Sequence, residues 1–513
     1  MQPVRSSVPA APGRLSKPPN PELFRLLYEP QLAQDLRQVL PGLLWIDAAH
    51  VVMLARTGIL ETSVAADLLA VNRDLAGRLS RGEEVLAPPS SHRGLYLLYE
   101  QTYIDRLGSQ RGGAAHAGRS RNDINATLLR MRLRTRVLDL LEQCLGLLTA
   151  AHGLAGRQLD TLMSAFTHLQ PAQPSTLAHY LAAVMAELLR ALEAVAVALE
   201  SVDRCPMGAA AGIGTSFPVD RRLMADFLGF CEVADNSLDA VASRDHAASV
   251  LAAFAGFGMT LTRWASDFQL WASHAYGFLD WPDDLVSTSS IMPQKRNAYV
   301  WEDVRGQAVH PTGALVSLLT GLKNTPYSNS IEAGAEATAH LWPALDALEK
   351  AVCLTRLLVE NVEVRPLRMR SFLHGTGALM TAVADHLVHC HGLAFRTAHD
   401  AVGKLVRDLP AGTEPSPEEV RERLEGILLE VAGRPVSLGD GLREALDPDA
   451  VVRAAAHGGG PAPDTVAGQL ERIAARKRRL EGEVGSRRER LQQADARLQE
   501  EIRRLSAGSR RAG

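Results

Sequence analysis

From Asp123 to about Leu159 the chain runs without a proline. Leu128, Met131, Val137, Leu141, Cys144, Leu145 and Leu148 recur there at helical spacing. That pattern predicts one helix several times longer than the usual three turns. Comparable patterns run from Ser175 to about Val202, from Ser237 to His274, and from Tyr299 to Leu322 with a kink expected at Pro311. Helices of such length bury an apolar stripe only against one another. Aromatic residues make up 5% of the chain and no useful alternating strand pattern is visible, so the expected fold is all-α, built on a central long-helix bundle.

With 513 residues the chain exceeds one ordinary core, and its punctuation suggests the divisions. Residues 1–20, with four prolines before position 19, read as a disordered leader with no signal-peptide run. An N-terminal helical domain is expected over 21–121, the bundle over 122–364, and a smaller helical domain rich in Pro and Gly breaks over 365–465. Over 466–513, Ile473, Leu480, Val484, Leu491, Leu498, Ile502 and Leu505 step through a charged background, which reads as a solvated charged helix or a short coiled coil.

A net charge of -3 gives no electrostatic case for nucleic acid or a membrane surface, and no apolar run approaches twenty residues. The expected partner is a small molecule. Cys144, Cys205, Cys231, Cys353 and Cys390 are scattered without a CxxC pair, so neither a disulfide framework nor a metal site is expected, and the chain reads as cytoplasmic.

Three polar blocks carry chemistry. Residues 287–297, STSSIMPQKRN, form a glycine-free loop before a long helical pattern, placing Ser289, Ser290, Lys295 and Asn297 where they could surround one carboxylate. The bland alternative is a solvated loop with a helix cap. Residues 118–123, GRSRND, open the first long helix, where Asn122 or Asp123 could cap and exposed amides and two arginines suit an anion; the bland alternative is an N-cap flanked by surface charge. Residues 165–174, AFTHLQPAQP, place Thr167, His168, Gln170 and Gln173 in a proline-bounded turn. A lone histidine is usually structural, but one among several hydrogen-bonding neighbours offers a titratable group near neutrality.

Together HAGRSRND (116–123), THLQPAQP (167–174) and SSIMPQKRN (289–297) resemble the argininosuccinate lyase family, within the superfamily that includes fumarase, aspartase and adenylosuccinate lyase. Weaker matches at 206–221, 237–245 and 458–463 extend the resemblance over most of the chain. It implies a three-domain subunit assembling as a homotetramer, with active sites shared between subunits, and β-elimination of fumarate from an N-substituted aspartate without cofactor or metal. By the same resemblance Ser289 is the base, Lys295 and Asn297 hold the carboxylate where charge develops, and His168, oriented by Glu302, protonates the departing nitrogen. Ser120, Arg121, Asn122, Thr167 and Tyr327 match substrate contacts, with Gln170 and Gln173 supporting the turn.

Departures gather where the family grips the arginine half of its substrate. Glu332 replaces a glutamine, Ala335 a lysine and Asp47 a serine, while 92–96 (HRGLY) replaces an acidic stretch. Thr288 for glycine and Ala298 for proline flank the loop. Losing a cation and gaining acids disfavours a carboxylated amine, so the expected substrate carries a different amine, guanidine or amidine. The alternatives are an authentic argininosuccinate lyase of arginine biosynthesis and, in another class, a catalytically silent structural or binding member.

Overall fold

The computed structural model describes residues 17–86, 94–409 and 415–509; most of the expected leader, together with His92 and Arg93, lies outside them. Helices α1 (Glu29–Gln38), α2 (Leu40–Arg56), α3 (Thr62–Ser80) and α4 (Leu95–Gly112) enclose an N-terminal core that includes Ile46, Val52, Leu68 and Tyr99. The chain then enters α5 (Arg121–Arg157), a hairpin of β1 (Leu162–Thr167) and β2 (Gln170–Thr176), and α6 (Leu177–Val202). After a short helix at Ser237–Ala242 come α7 (Asp245–Ala272), α8 (Val300–Ala308), α9 (His310–Leu322) and α10 (Leu341–Glu360), which share one large apolar cluster with α5 and α6. Helices α11 (Met380–His391), α12 (Phe395–Asp408) and α13 (Pro417–Ala432) form a separate small core, and α14 (Pro463–Ser509) ends the described chain.

Side-chain contacts fix the directions. Arg136 meets Asp346 and Glu349 while Arg356 meets Gln143, so α5 and α10 run parallel. Arg130 reaches Ser201 O at the end of α6, which therefore runs the other way. The end at which α5 begins is called the head of the bundle, the other the foot. Gly258 allows the closest approach between helices: a Cβ there would lie 2.1 Å from Ala308 O, so only glycine lets α7 and α8 meet.

Two expected helices are broken. The Ser237–His274 pattern stops at Ser243, whose hydroxyl bonds the Asp245 carboxylate at 2.5 Å, a local bond that competes with the helical ladder. The Tyr299–Leu322 pattern breaks at Val309 because Pro311 supplies no N–H and fits only the first turn of a new helix.

Two further expectations are corrected. The turn around His168 is a β-hairpin in a mainly helical chain, paired from Leu162↔Thr176 to Thr167↔Gln170 with an irregularity between Ser164 and Phe166. Pro171 and Pro174 hid β2 by removing two donors, a loss a two-stranded ribbon tolerates. The charged C-terminal segment is neither a free helix nor a separate coiled coil. About 70 Å long at 1.5 Å per residue, α14 buries Leu470, Leu480 and Val484 in the bundle and Leu498 and Ile502 in the N-terminal core. Arg487 and Arg490 join Arg134 around the buried Asp203, fastening α14 to α5 and α6. By length and hydropathy α5 could cross a membrane, as could the bent pair Pro21–Gln38 with Leu40–Arg56, but 56% of the apolar window in α5 is buried inside the fold.

Candidate active site

At the head, Ser120 caps α5. Its Oγ accepts from Asn122 N at 3.3 Å and Asp123 Oδ1 accepts from Ser120 N at 3.0 Å, a capping box. Asp123 also accepts from Gly208 and Ala210 N at 3.1 and 2.9 Å, and burial pushes its carboxyl up to about 6 despite those bonds. It is therefore the structural acid of the block, holding the 206–214 loop against the cap. Asn122 donates to Ala211 O and accepts from Asn329 Nδ2 at 2.9 Å, while Tyr327 OH donates to Asp239 at 2.8 Å. Ser120, Asn122, Tyr327 and Asn329 thus gather at one place, with Arg121 exposed in the first turn beside them.

At the foot, Thr167 and His168 are exposed at the hairpin tip. His168 and Leu169 both adopt left-handed backbone, φ 53° and 60°, as a two-residue turn between strands demands. Neither is glycine, and such strain in side-chain-bearing residues collects at functional sites. Phe166 anchors the hairpin against Trp271 and Tyr276 near the end of α7. Nearby, the 287–297 loop is closed by a short ladder pairing Ser287 with Asn297 and Thr288 with Arg296. Arg296 clamps its base through Trp281 O and the carboxylates of Asp280 and Asp283. At the tip Ser289 Oγ accepts from Ile291 and Met292 N at 3.3 and 3.2 Å, and Ile291 is 83% exposed. Lys295 is exposed and makes no ion pair among the described residues.

Head and foot do not meet within one chain. Asp245, at the head, and Trp271, at the foot, are separated along α7 by about 40 Å at 1.5 Å per residue. Nor do His168 and Glu302 touch: Glu302 Oε1 accepts from Gln269 Nε2 at 2.7 Å and the expected pairing with His168 is not made inside the subunit.

Asp47 is a correction. It is 1% exposed on α2, its Oδ1 paired with Arg119 and its Oδ2 accepting from Tyr99 OH at 2.8 Å. Its charge is cancelled in the N-terminal core and is not offered to a ligand. Glu332 and Ala335 are exposed on the segment Glu332–Glu336, and the neighbouring Ser330 holds the Glu332 carboxyl below its ordinary range. Arg119, one of the two arginines expected to suit an anion, is instead buried against Asp47. The sequence assigned no role to Asp239, Arg244 or Asn329; Asp239 and Arg244 were signalled only by the weak match at 237–245. Among the described residues no group of three or more His, Cys, Asp or Glu could hold a metal ion.

Comparison with known proteins agrees with this architecture. Residues 82–313 match a family model described as lyase, and residues 377–453 one described as argininosuccinate lyase C-terminal. Argininosuccinate lyase 1 of Shouchella clausii (strain KSM-K16) is 33% identical over 484 residues, covering 94% of this chain and 97% of that protein. The argininosuccinate lyase of Methanosarcina acetivorans is 36% identical over 455 residues, 88% and 90% of the two chains. Among solved structures, EDDS lyase in complex with formate superposes with a TM-score of 0.84 at 29% identity, covering 96% of this chain and 97% of that one. The class II fumarase of Schistosoma mansoni, at 16% identity and a TM-score of 0.62 over 82% and 94%, shares the fold.

Long bundle helices with a capped head and a polar foot loop define a lyase of the fumarase and aspartase superfamily. Within it, the chain belongs to the argininosuccinate lyase family. It is a carbon–nitrogen lyase.

Proposed function

We propose that the protein eliminates the amine half of an N-substituted aspartate to leave fumarate, in a homotetramer whose active sites each combine head and foot residues of different subunits. Ser289 takes the proton from the carbon beside the carboxylate. The electron pair forms the new double bond as the carbon–nitrogen bond breaks, and His168 returns a proton to the leaving nitrogen, directly or through water. Lys295 and Asn297 face the carboxylate on which negative charge accumulates, and the Lys295 ammonium also supports the serine alkoxide. Ser120, Arg121, Asn122, Thr167 and Tyr327 orient the succinyl half, and Glu302 of one subunit orients His168 of another.

The observation that carries this reading is the separation of complementary half-sites. Ser289 and Lys295 project from an exposed loop at the foot, Ser289 bonded only to amides of that loop and Lys295 in no ion pair among the described residues, about 40 Å from the capped, anion-suited helix start at the head. Exposed apolar side chains on the bundle supply a surface for assembly: Val197 on α6, Met259 on α7, and Val316 and Leu319 on α9 are 53–65% exposed. Elimination is tested by following fumarate ultraviolet absorbance over a panel of N-substituted aspartates with Ser289→Ala as control; turnover surviving in that variant would remove Ser289 as the base.

A second reading, that argininosuccinate itself is the substrate, is favoured by the names of the similar proteins. If it holds, Glu332→Gln combined with Ala335→Lys brings no gain in kcat/KM on argininosuccinate; a gain of tenfold or more supports a different amine.

A further inference from the structure

Asp203, just past the end of α6, is 2% exposed and accepts from three guanidiniums at once: Arg134 on its Oδ1 at 3.0 Å, and Arg487 and Arg490 on its Oδ2 at 3.2 and 3.4 Å. One carboxylate cancels only one of those charges. The Cys231 thiol donates to the same Oδ2 at 2.9 Å and lies against Arg490. Burial, reinforced by Asp203, pushes that thiol up to about 11, so it stays neutral and adds no negative charge.

The surplus opens onto a cavity of about 420 Å³ between α14 and the segment from Arg222 to Cys231. None of its wall belongs to the polar blocks at 118–123, 165–174 and 287–297. Arg490, Gln493 and Arg497 line it from one face of α14, the two arginines seven residues and about 10 Å apart along the axis. Arg222 faces them from the short helix Arg221–Phe227, its Nε pairing with Asp226 at 3.1 Å and its Nη1 donating to Cys231 O at 3.2 Å. Arg497 and Glu489, both exposed, make no ion pair among the described residues. Around the cavity and the carboxylate behind it, the five guanidiniums of Arg134, Arg222, Arg487, Arg490 and Arg497 thus meet the three carboxylates of Asp203, Asp226 and Glu489, an excess of two positive charges.

The walls are fixed from behind. Arg134 donates to Gly229 O and Leu228 O at 2.9 and 2.8 Å and lies 4.4 Å from the Phe230 ring, which ties the turn after Arg222 to α5. Gly229, at φ 70°, lets α14 close on that turn, since a Cβ there would lie 2.8 Å from Leu491 Cδ2.

We propose that this cavity binds a small oxyanion carrying two or more negative charges, of phosphoryl or carboxylate chemistry, and that the bound anion reinforces the attachment of α14. The proposal is independent of the elimination reading. Each guanidinium offers a fork of donors to such oxygens. Arginines spaced along a helix face suit a molecule with charge at more than one point, and neutralising the surplus removes repulsion among cations that α14 brings together. Because α14 is buried in both the bundle and the N-terminal core, occupancy stabilises the two together.

The probes are pyrophosphate for the phosphoryl chemistry and citrate for the carboxylate, added to the full-length protein and compared with sodium chloride at equal ionic strength. At least one is expected to show one saturable site per chain in calorimetric titration and to raise the thermal midpoint by about 2–3 °C at a hundredfold excess over its Kd. Which of the two does so identifies the ligand chemistry. Arg497→Gln and, separately, Arg222→Gln should each weaken that binding about tenfold or more, while the unliganded midpoint stays within about 1 °C, as for exposed substitutions. Saturable binding by neither probe overturns the proposal, and this result depends on no variant. Binding that both variants leave intact places the anion elsewhere in the protein and overturns it as well.

Discussion

Replacing Asp47 by the family's serine distinguishes a specificity role from a structural one. Among the described residues Asp47 is the only carboxylate paired with Arg119, whose Nη2 otherwise reaches Tyr96 OH at 3.2 Å and whose Nε and Nη1 are buried without acceptors. Asp47→Ser leaves that guanidinium buried and uncompensated, which typically costs about 3–5 kcal/mol; the lost bond from Tyr99 is part of the same network and is not added separately. A chain of 513 residues has an unfolding entropy of about 1 kcal/mol per degree, so the midpoint should fall by about 3–5 °C. Thermal unfolding followed by near-ultraviolet circular dichroism at fixed protein concentration reads the loss. The ratio of kcat/KM between two N-substituted aspartates reads specificity, and should stay within about twofold of the original by the tolerance expected for a residue outside the site. An unshifted midpoint with a changed ratio would refute the structural assignment. As a cross-check, Asp47→Leu with Arg119→Met should be less destabilising than Asp47→Ser, because it removes the orphaned charge as well.

Further outcomes follow from other parts of the fold. If active sites join head and foot residues of different subunits, co-refolding inactive Arg121→Ala with inactive Ser289→Ala should restore activity, up to roughly a quarter of the original in a tetramer; none in verified mixed oligomers argues for sites within one chain. Gly258→Ala drives a Cβ into Ala308 O and should cost about 2–3 kcal/mol in urea unfolding, and an unchanged midpoint would show that α7 and α8 are less closely packed. Asp35 is half-buried, and desolvation raises its carboxyl to about 6. An acid whose folded pKa exceeds its unfolded value near 3.9 binds more protons when folded, so its contribution to stability is lost as pH rises from about 4 through 6. Asp35→Asn should therefore stabilise by about 1 kcal/mol at pH 8, after allowing for solvent screening, and by little at pH 4; equal gains at both values in urea unfolding would contradict the assignment.

The amount of structure legible in the sequence varied with the range of the interactions involved. Helices α5 and α6 could be read within about two residues because proline-free apolar periodicity is local; the cap expected at Asn122 or Asp123 lies instead at Ser120, with Asp123 closing the capping box. The hairpin was missed because its turn uses His168 and Leu169 where glycine or asparagine would signal it, and because two prolines disguise β2. The apolar stripe of α14 was visible, but a stripe says only that something covers it. Its partners lie hundreds of residues earlier, as the bond between Arg488 and Asp139 illustrates.

The sequence by itself determined the long helices and the polar blocks at 118–123, 165–174 and 287–297, because helix periodicity, capping and loop chemistry operate over a few neighbouring residues. Tertiary structure decided which charges are spent and which remain available. Asp47 and Arg244 are both buried charges beside a polar block; Arg119 cancels the first, and among the described residues no carboxylate pairs with the second. Compensation in a medium of low dielectric depends on neighbours brought close only by folding. The same holds for the distance between head and foot, set by the rigid rise of the bundle helices, which keeps the polar block at 118–123 away from those at 165–174 and 287–297 within one chain.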